Sequence, residues 1–240
     1  MQPVFASIWK LFEDEIFPVP SLPDGRHPFH NLYRDSLPGV EHPQAASIRQ
    51  QNLQAYLEHF RCRPATLILG EAPGWRGCRF SGVAFTCEAQ LTSGELPFRG
   101  KRSSLADTRS GDDGNPGSKA PSFSTGYREA SAAIFWRCLL PYSQDFLVWN
   151  IFPFHPHKPG EALTNRKPVI SEGIAHIPFL EKMIERLQPE DILAVGKFAQ
   201  AILRRSSIPH QPIRHPSHGG ARRFKTQVLA HFEKSSSRRS

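Results

Sequence analysis

The chain has 240 residues, enough for one substantial α/β domain with a buried core and short for two. Hydrophobic residues make up 39% and charged residues 22%, the proportions of a globular protein, and no uncharged apolar stretch approaches the roughly 20 residues that span a bilayer. Thirty Lys and Arg against 22 Asp and Glu leave a formal charge of +8, a surplus that favours a polyanionic partner.

The first residues, Met1-Gln2-Pro3-Val4-Phe5, carry no basic stretch followed by an apolar run, so no secretory signal is expected. Residues 1–17 place Phe5, Ile8, Trp9, Phe12 and Ile16 at helical spacing. Residues 18–44 are rich in Pro, His and Gly and are expected to be irregular, so 1–44 reads as an extension before a domain at 45–232. Residues 45–60 predict a helix from Leu53, Tyr56, Leu57 and Phe60, closed by Pro64. Ala65-Thr66-Leu67-Ile68-Leu69 is a buried strand, followed by the turn Gly70-Glu71-Ala72-Pro73-Gly74. Residues 92–126 are polar and rich in Ser, Gly, Asp, Arg and Lys, and read as an insertion or flexible loop outside the core. Residues 127–140 predict a helix. Phe146-Leu147-Val148-Trp149 is a second strand ending at Asn150. Residues 171–187 predict one helix with Ile177, Leu180, Ile184 and Leu187 on one face. Asp191-Ile192-Leu193-Ala194-Val195-Gly196 is a third strand running into a helix at 197–204. A fourth strand is expected before His215, a last helix at 222–232, and a disordered Ser/Arg tail at 233–240.

Strands that read as continuous apolar runs and alternate with helices imply a parallel sheet covered on both faces. Ligands bind such sheets beyond the carboxyl ends of the strands. The turn at 70–74, the segment from Asn150 to His157 and the segment from His215 all fall there.

These segments resemble the uracil-DNA glycosylase superfamily, most closely the branch whose usual members carry an iron–sulfur cluster. Gly70-Glu71-Ala72-Pro73-Gly74 with Gly82-Val83-Ala84-Phe85 looks like that branch's first motif. Asn150 stands where the family's pocket asparagine ends the second strand. Lys158-Pro159-Gly160 through Asn165-Arg166-Lys167-Pro168 is similar to its Pro/Gly/Asn-Arg loop, Ile192 to Gly196 to its third strand, and His215-Pro216-Ser217 to its second catalytic motif. The resemblance covers roughly residues 65–232 and implies a three-layer αβα sandwich on a four-stranded parallel sheet. It further implies a monomer acting on DNA that contains uracil or another damaged base. Such a protein would be cytoplasmic and associated with the nucleoid through DNA.

Three departures bear on chemistry. Cys62, Cys78, Cys87 and Cys138 include no close pair, and Phe154 to His157 occupies the place of a ligand cysteine, so neither cluster, zinc site nor disulfide framework is expected. No nucleotide-binding glycine loop occurs, and no cofactor is expected. Ala72 replaces the family's water-activating aspartate, and Gly74 replaces the tyrosine that blocks thymine, which leaves the preferred base open.

Cutting an N-glycosidic bond requires that the base leave the stack, be gripped, depart as a stabilised anion and be replaced by water at C1′. The sugar transition state is cation-like, so nearby negative charge helps. Phe85, placed after Gly82 in the motif, is read as a face for the base, against the alternative that one of 17 phenylalanines is simply core. Asn150 can match O4 and N3–H of uracil with one donor and one acceptor. His215 can donate to the charge developing on O2. Glu71 is the candidate to position water or balance the sugar's charge, and it can equally cap backbone N–H groups of the turn. Gly70, Ala72 and His155 are further expected base-pocket residues. Pro73, Gly74, Ser217, His218, Gly219, Gly220, Arg222 and Arg223 are expected to meet the DNA, with backbone N–H groups at the helix start facing phosphate. Arg99, Lys101, Arg102, Arg109 and Lys119 either track the DNA backbone or belong to a solvated loop.

The expected activity is hydrolysis of deoxyuridine in DNA to uracil and an abasic site, without strand cleavage because no lysine nucleophile is evident. Hypoxanthine, xanthine and mispaired thymine are alternative bases. A catalytically silent binder of such DNA and a covalent trap through a pocket histidine are further alternatives.

Overall fold

The computed structural model describes residues 1–105 and 126–239. Arg109 and Lys119 of the expected insertion lie outside them.

The elements in chain order are α1 (Pro3–Glu15), β1 (Phe29–His30), α2 (Ala45–Glu58), β2 (Thr66–Gly70), α3 (Cys78–Ser81), α4 (Glu88–Ser93), α5 (Ala130–Leu139), β3 (Phe146–Asn150) and β4 (His155–Pro156). They continue with α6 (Ile170–Ala175), α7 (Ile177–Leu187), β5 (Asp191–Val195), α8 (Lys197–Arg205), β6 (Gln211–Ile213) and α9 (Ala221–Arg239). The main sheet has four parallel strands in the order β3-β2-β5-β6. This is the α/β architecture expected of the sequence.

Alternation along β3 shows why both faces are covered. Phe146 meets Phe135 of α5 and Phe232 of α9, whereas Trp149, three residues on and opposite in direction, meets Phe12 of α1 and Phe179 of α7. Each such aromatic stabilises the fold by roughly 1.5–3 kcal/mol through burial. Among the described residues no helix is long and apolar enough to cross a membrane.

Five boundaries differ from expectation. Residues 18–44 are not wholly irregular, because β1 pairs antiparallel with β4 and ties the N-terminal extension to the segment after Asn150. The described part of the 92–126 stretch is not a solvated loop. Leu96 and Phe98 are buried, and the backbone N–H groups of Ser103 and Ser104 donate to the buried Glu88 carboxylate at 2.7 and 2.9 Å. Its polar composition hides two apolar anchors and two serines that serve a buried charge.

The helix at 127–140 begins only at Ala130, with Glu129 in extended conformation before it. The helix at 171–187 is two, jointed at His176. Pro178 lacks an N–H and its ring clashes with the preceding turn, so it restarts a helix instead of continuing one. Finally, α9 runs on to Arg239, through the tail expected to be disordered. Val228, His231 and Phe232 anchor its buried side, and the Ser235 hydroxyl donates to the His231 carbonyl at 3.0 Å.

Candidate active site

The register of the sheet sets the site. Gly70 pairs with Asn150, so both strand ends finish together, and Val195 of β5 and the segment after β6 finish beside them. A cavity of about 360 Å³ opens there. It brings together Glu71, Ala72, Pro73, Gly74, Phe85, Asn150, His215, Ser217 and His218, which the sequence places far apart.

Gly70 makes the floor possible. A methyl group on it would lie 2.6 Å from both Asn150 Oδ1 and Phe85 Cε2, closer than real contacts allow. Phe85 itself adopts φ 50°, an uncommon conformation for a bulky residue, which turns its ring into the cavity wall. The ring also stacks on Phe135, with centroids 4.6 Å apart and planes 14° apart. Phe85 therefore packs into the core on one side and lines the cavity on the other. Asn150 is buried, and its Nδ2 lies 3.9 Å from the Cys78 sulfur.

His215 follows β6, half-buried, 5.8 Å from the Phe85 ring. Burial, Arg214 and His218 lower its pKa to about 4, so the ring is neutral near pH 7. The Ser217 backbone N–H donates to His215 Nδ1 at 3.1 Å, and the Ser217 hydroxyl lies 2.7 Å from the same nitrogen. A nitrogen that accepts a backbone N–H carries no proton, so the ring proton sits on Nε2. Nε2 has no protein partner among the described residues. A neutral imidazole is thus fixed with an unused N–H donor at the cavity.

Two carboxylates line the cavity. Glu71 is half-buried, and burial raises its pKa while Lys167 pulls it down. Glu129 was not read from the sequence. It stands immediately before α5, and burial raises its pKa against the lowering effect of a hydrogen bond with Ser131. Lys197, Arg214, Asn165 and Arg166 also line the cavity. Lys197 is a lysine at the cavity where the sequence made no lysine nucleophile evident. Arg166 is committed to Glu172 through two bonds of 2.7 and 2.8 Å, and Asn165 Oδ1 accepts the Trp75 N–H at 3.0 Å, holding the 74–77 turn.

His155 is placed differently from expectation. It is fully buried and does not line the cavity. Its Nδ1 donates to the Pro73 carbonyl at 2.8 Å, Nε2 faces the Ala162 carbonyl at 3.2 Å, and burial first, with Arg79, lowers its pKa to about 3. His155 braces the glutamate-bearing turn from behind rather than touching a base. Among the described residues, no three of His, Cys, Asp and Glu gather as metal ligands do.

On the rim, His218 and Gly219 are exposed in left-handed conformation, and Arg222 and Arg223 project from the first turn of α9. Gly220 is buried, and a methyl there would fall 2.0 Å from the His215 carbonyl. Its lack of a side chain lets α9 start directly against the His215 segment.

The family described as the uracil DNA glycosylase superfamily matches residues 57–235, which include every strand of the main sheet and every residue named above as lining the cavity. The crystal structure of wild-type Pedobacter heparinus SMUG2 is similar in fold, with a TM-score of 0.67 and 13% identity, covering 99% of this chain and 100% of that one. No curated protein matches the chain.

Proposed function

The chain belongs to the uracil DNA glycosylase superfamily, and on that premise we propose that it hydrolyses the N-glycosidic bond of a deaminated base in DNA, with deoxyuridine the leading substrate. The observation that carries this reading is the neutral His215 with its proton on Nε2, held beside the Phe85 ring in a cavity shared with Asn150.

In the proposed reaction a base leaves the stack and lies against Phe85. Asn150 donates to O4 of uracil and accepts its N3–H. The C1′–N1 bond breaks with both electrons moving to the base, and His215 Nε2–H donates to O2 as negative charge grows there. Such a donor, fixed in advance, is worth about 10²–10³ in rate. Water forms the new bond to C1′, Glu71 orients it and accepts its proton, and the uracil anion is reprotonated from solvent. The products are uracil and an abasic site. Arg222, Arg223 and the start of α9 are assigned to DNA phosphates.

The test incubates the protein, in EDTA, with labelled oligonucleotides containing uracil, hypoxanthine, xanthine or a G·T mismatch, with and without alkali. Alkali-dependent cleavage at uracil supports the reading. Cleavage only at another base keeps the reaction and changes the substrate. Cleavage without alkali would point to Lys197 as a Schiff-base nucleophile. Binding without cleavage of any substrate would favour a silent binder.

A further inference from the structure

Trp75 is an aromatic that neither the core nor the proposed reaction uses. Of the four tryptophans, Trp136 and Trp149 are buried in the core and Trp9 packs against it, whereas Trp75 belongs to neither group. It is half-buried in the turn that follows Gly74, and Gly74 lines the cavity. Consecutive Cα atoms lie about 3.8 Å apart, so the indole stands one peptide beyond the cavity wall.

The turn is held from several sides. Asn165 Oδ1 accepts the Trp75 N–H at 3.0 Å, and the Gly74 carbonyl accepts the N–H groups of Gly77 and Arg79 at 3.1 and 3.2 Å. The Glu129 carboxylate packs against the same turn. A methyl on Gly74 would lie 3.0 Å from its Oε1, and one on Gly77 closer still to Oε2. The indole meets Tyr127 edge-on with centroids 5.7 Å apart, and Tyr127 stacks on the fully buried Phe80 at 4.5 Å. The Arg76 guanidinium lies 4.6 Å from the indole centroid, over the ring. An aromatic surface is thus fixed at the cavity mouth with a positive charge beside it.

The other rim segment, Ser217 to Gly220, carries no bulky apolar side chain. A nucleotide turned into the cavity leaves its neighbours in the strand without a stacking partner. An aromatic side chain replaces that partner whatever the base, because every base has a π-face. We propose, on the glycosylase reading above, that Trp75 is a stacking subsite for the nucleobase next to the flipped nucleotide, with Arg76 meeting its phosphate. The occupant follows from the pairing of an aromatic face with a cation, on a chain of net charge +8.

The experiment uses single-stranded oligonucleotides with a tetrahydrofuran abasic analogue at the flipped position and 2-aminopurine on its 5′ or its 3′ side. Binding of the full chain is expected to quench 2-aminopurine on one side, where it stacks on the indole. Trp75→Ala should abolish that quenching and weaken binding by about fivefold or more. Trp75→Phe should lose the indole quenching and recover part of the affinity. Arg76→Ala should keep the quenching and flatten the slope of log affinity against log salt by about 0.7. A thermal melt accompanies each variant. No quenching on either side by the wild type, or wild-type quenching by a folded Trp75→Ala, overturns the assignment. If Trp75→Ala does not fold, quenching by Trp75→Phe equal to the wild type overturns it. Release of uracil from the matching uracil oligonucleotide is measured on the same preparations. Release without quenching overturns the subsite and leaves the glycosylase reading in place. Quenching without release of any base overturns the glycosylase reading and leaves Trp75 as a DNA contact.

Discussion

Gly70 and Asn150 face each other at the ends of β2 and β3, and a methyl group on Gly70 would stand 2.6 Å from the Asn150 Oδ1. The same methyl would press on the Phe85 ring, so one glycine fixes the spacing between the expected base-reading amide and the expected stacking surface. Gly70→Ala is expected to shift both. Overpacking of this kind costs about 1–3 kcal/mol, while misplacing reacting groups by an ångström lowers turnover on the order of 100-fold. The chain should remain folded in a denaturant titration yet lose base release far beyond that stability loss. Wild-type turnover in this variant would show that the cavity floor does not position the base.

The pH dependence follows from two groups shifted in opposite directions. His215 is lowered to about 4, so its neutral donor form persists well below the ordinary histidine range. Glu71 is raised above 4.5 and must be ionised to accept the water's proton. Activity is therefore expected to fall with decreasing pH through the Glu71 pKa, above 4.5, with no limb near 6.5 from His215. In Glu71→Gln the rate should drop by about 10²–10⁴ and the acid limb should vanish. A surviving limb in that variant would assign it to another group, Glu129 first.

Stability should respond to acid through the buried histidines. His30, His155, His176 and His215 are lowered to about 2, 3, 4 and 4, with burial the leading cause for each. In the unfolded chain they titrate near the ordinary value of 6.5. As pH falls below 6.5, the unfolded state binds protons that the folded state refuses, so their contribution declines as pH drops toward the folded values. Glu71 and Glu129, raised by burial, act in the opposite sense, and the four histidines outnumber them. A melting midpoint lower at about pH 5 than at about pH 7 is the expected result. A midpoint that rises over that interval would contradict it.

How much of this site was legible depended on where each residue's position is decided. Gly70 and Asn150 end strands and His215 follows one, and strand ends follow from apolar runs, whereas Phe85 lies between α3 and α4 and is marked by its glycine-led motif instead. Glu129 is positioned by a helix start that lies three residues beyond the expected one, and its target, the turn at 74–77, is more than fifty residues away. No local pattern marks a single glutamate of that kind. The orientation of His155 is hidden in the sequence for a related reason. An imidazole in a pocket segment can face the cavity or the backbone behind it, and β4 pairing with β1 turns this one inward. The stretch at 92–105 misled through composition, since two buried side chains, Leu96 and Phe98, outweigh its polar majority.

The bracing role of His155 separates it from a base contact in a measurable way. Because Nδ1 holds the Pro73 carbonyl, His155→Ala should loosen the turn that carries Glu71. Loss of a buried hydrogen bond together with the cavity left behind costs about 2–5 kcal/mol. Base release should fall by the same factor for every base. A change in the ratio between bases would return His155 to the pocket.

Glu88 provides the last test, because its carboxylate joins segments on both sides of the stretch outside the described residues. Oε1 accepts the N–H groups of Ser103 and Ser104 at 2.7 and 2.9 Å, and Oε2 accepts the Ser104 hydroxyl at 2.6 Å and the Tyr127 N–H at 3.2 Å. Four donors satisfy a carboxylate that is otherwise fully buried. Glu88→Ala leaves them without an acceptor, and Glu88→Gln turns an NH2 group toward at least one of them. Breaking such a buried charged network is expected to cost about 3–5 kcal/mol, with the alanine variant the more destabilised. The positions of Ser104 and Tyr127 depend on this bond set, and Tyr127 is two residues before Glu129. Glu88→Gln should therefore also lower base release at temperatures where the protein is still folded, by shifting the segment that carries Glu129 into the cavity wall. Stability within about 0.5 kcal/mol of wild type for both variants would show that water replaces the carboxylate at no cost, and that the clamp is not what holds Glu129 over its turn.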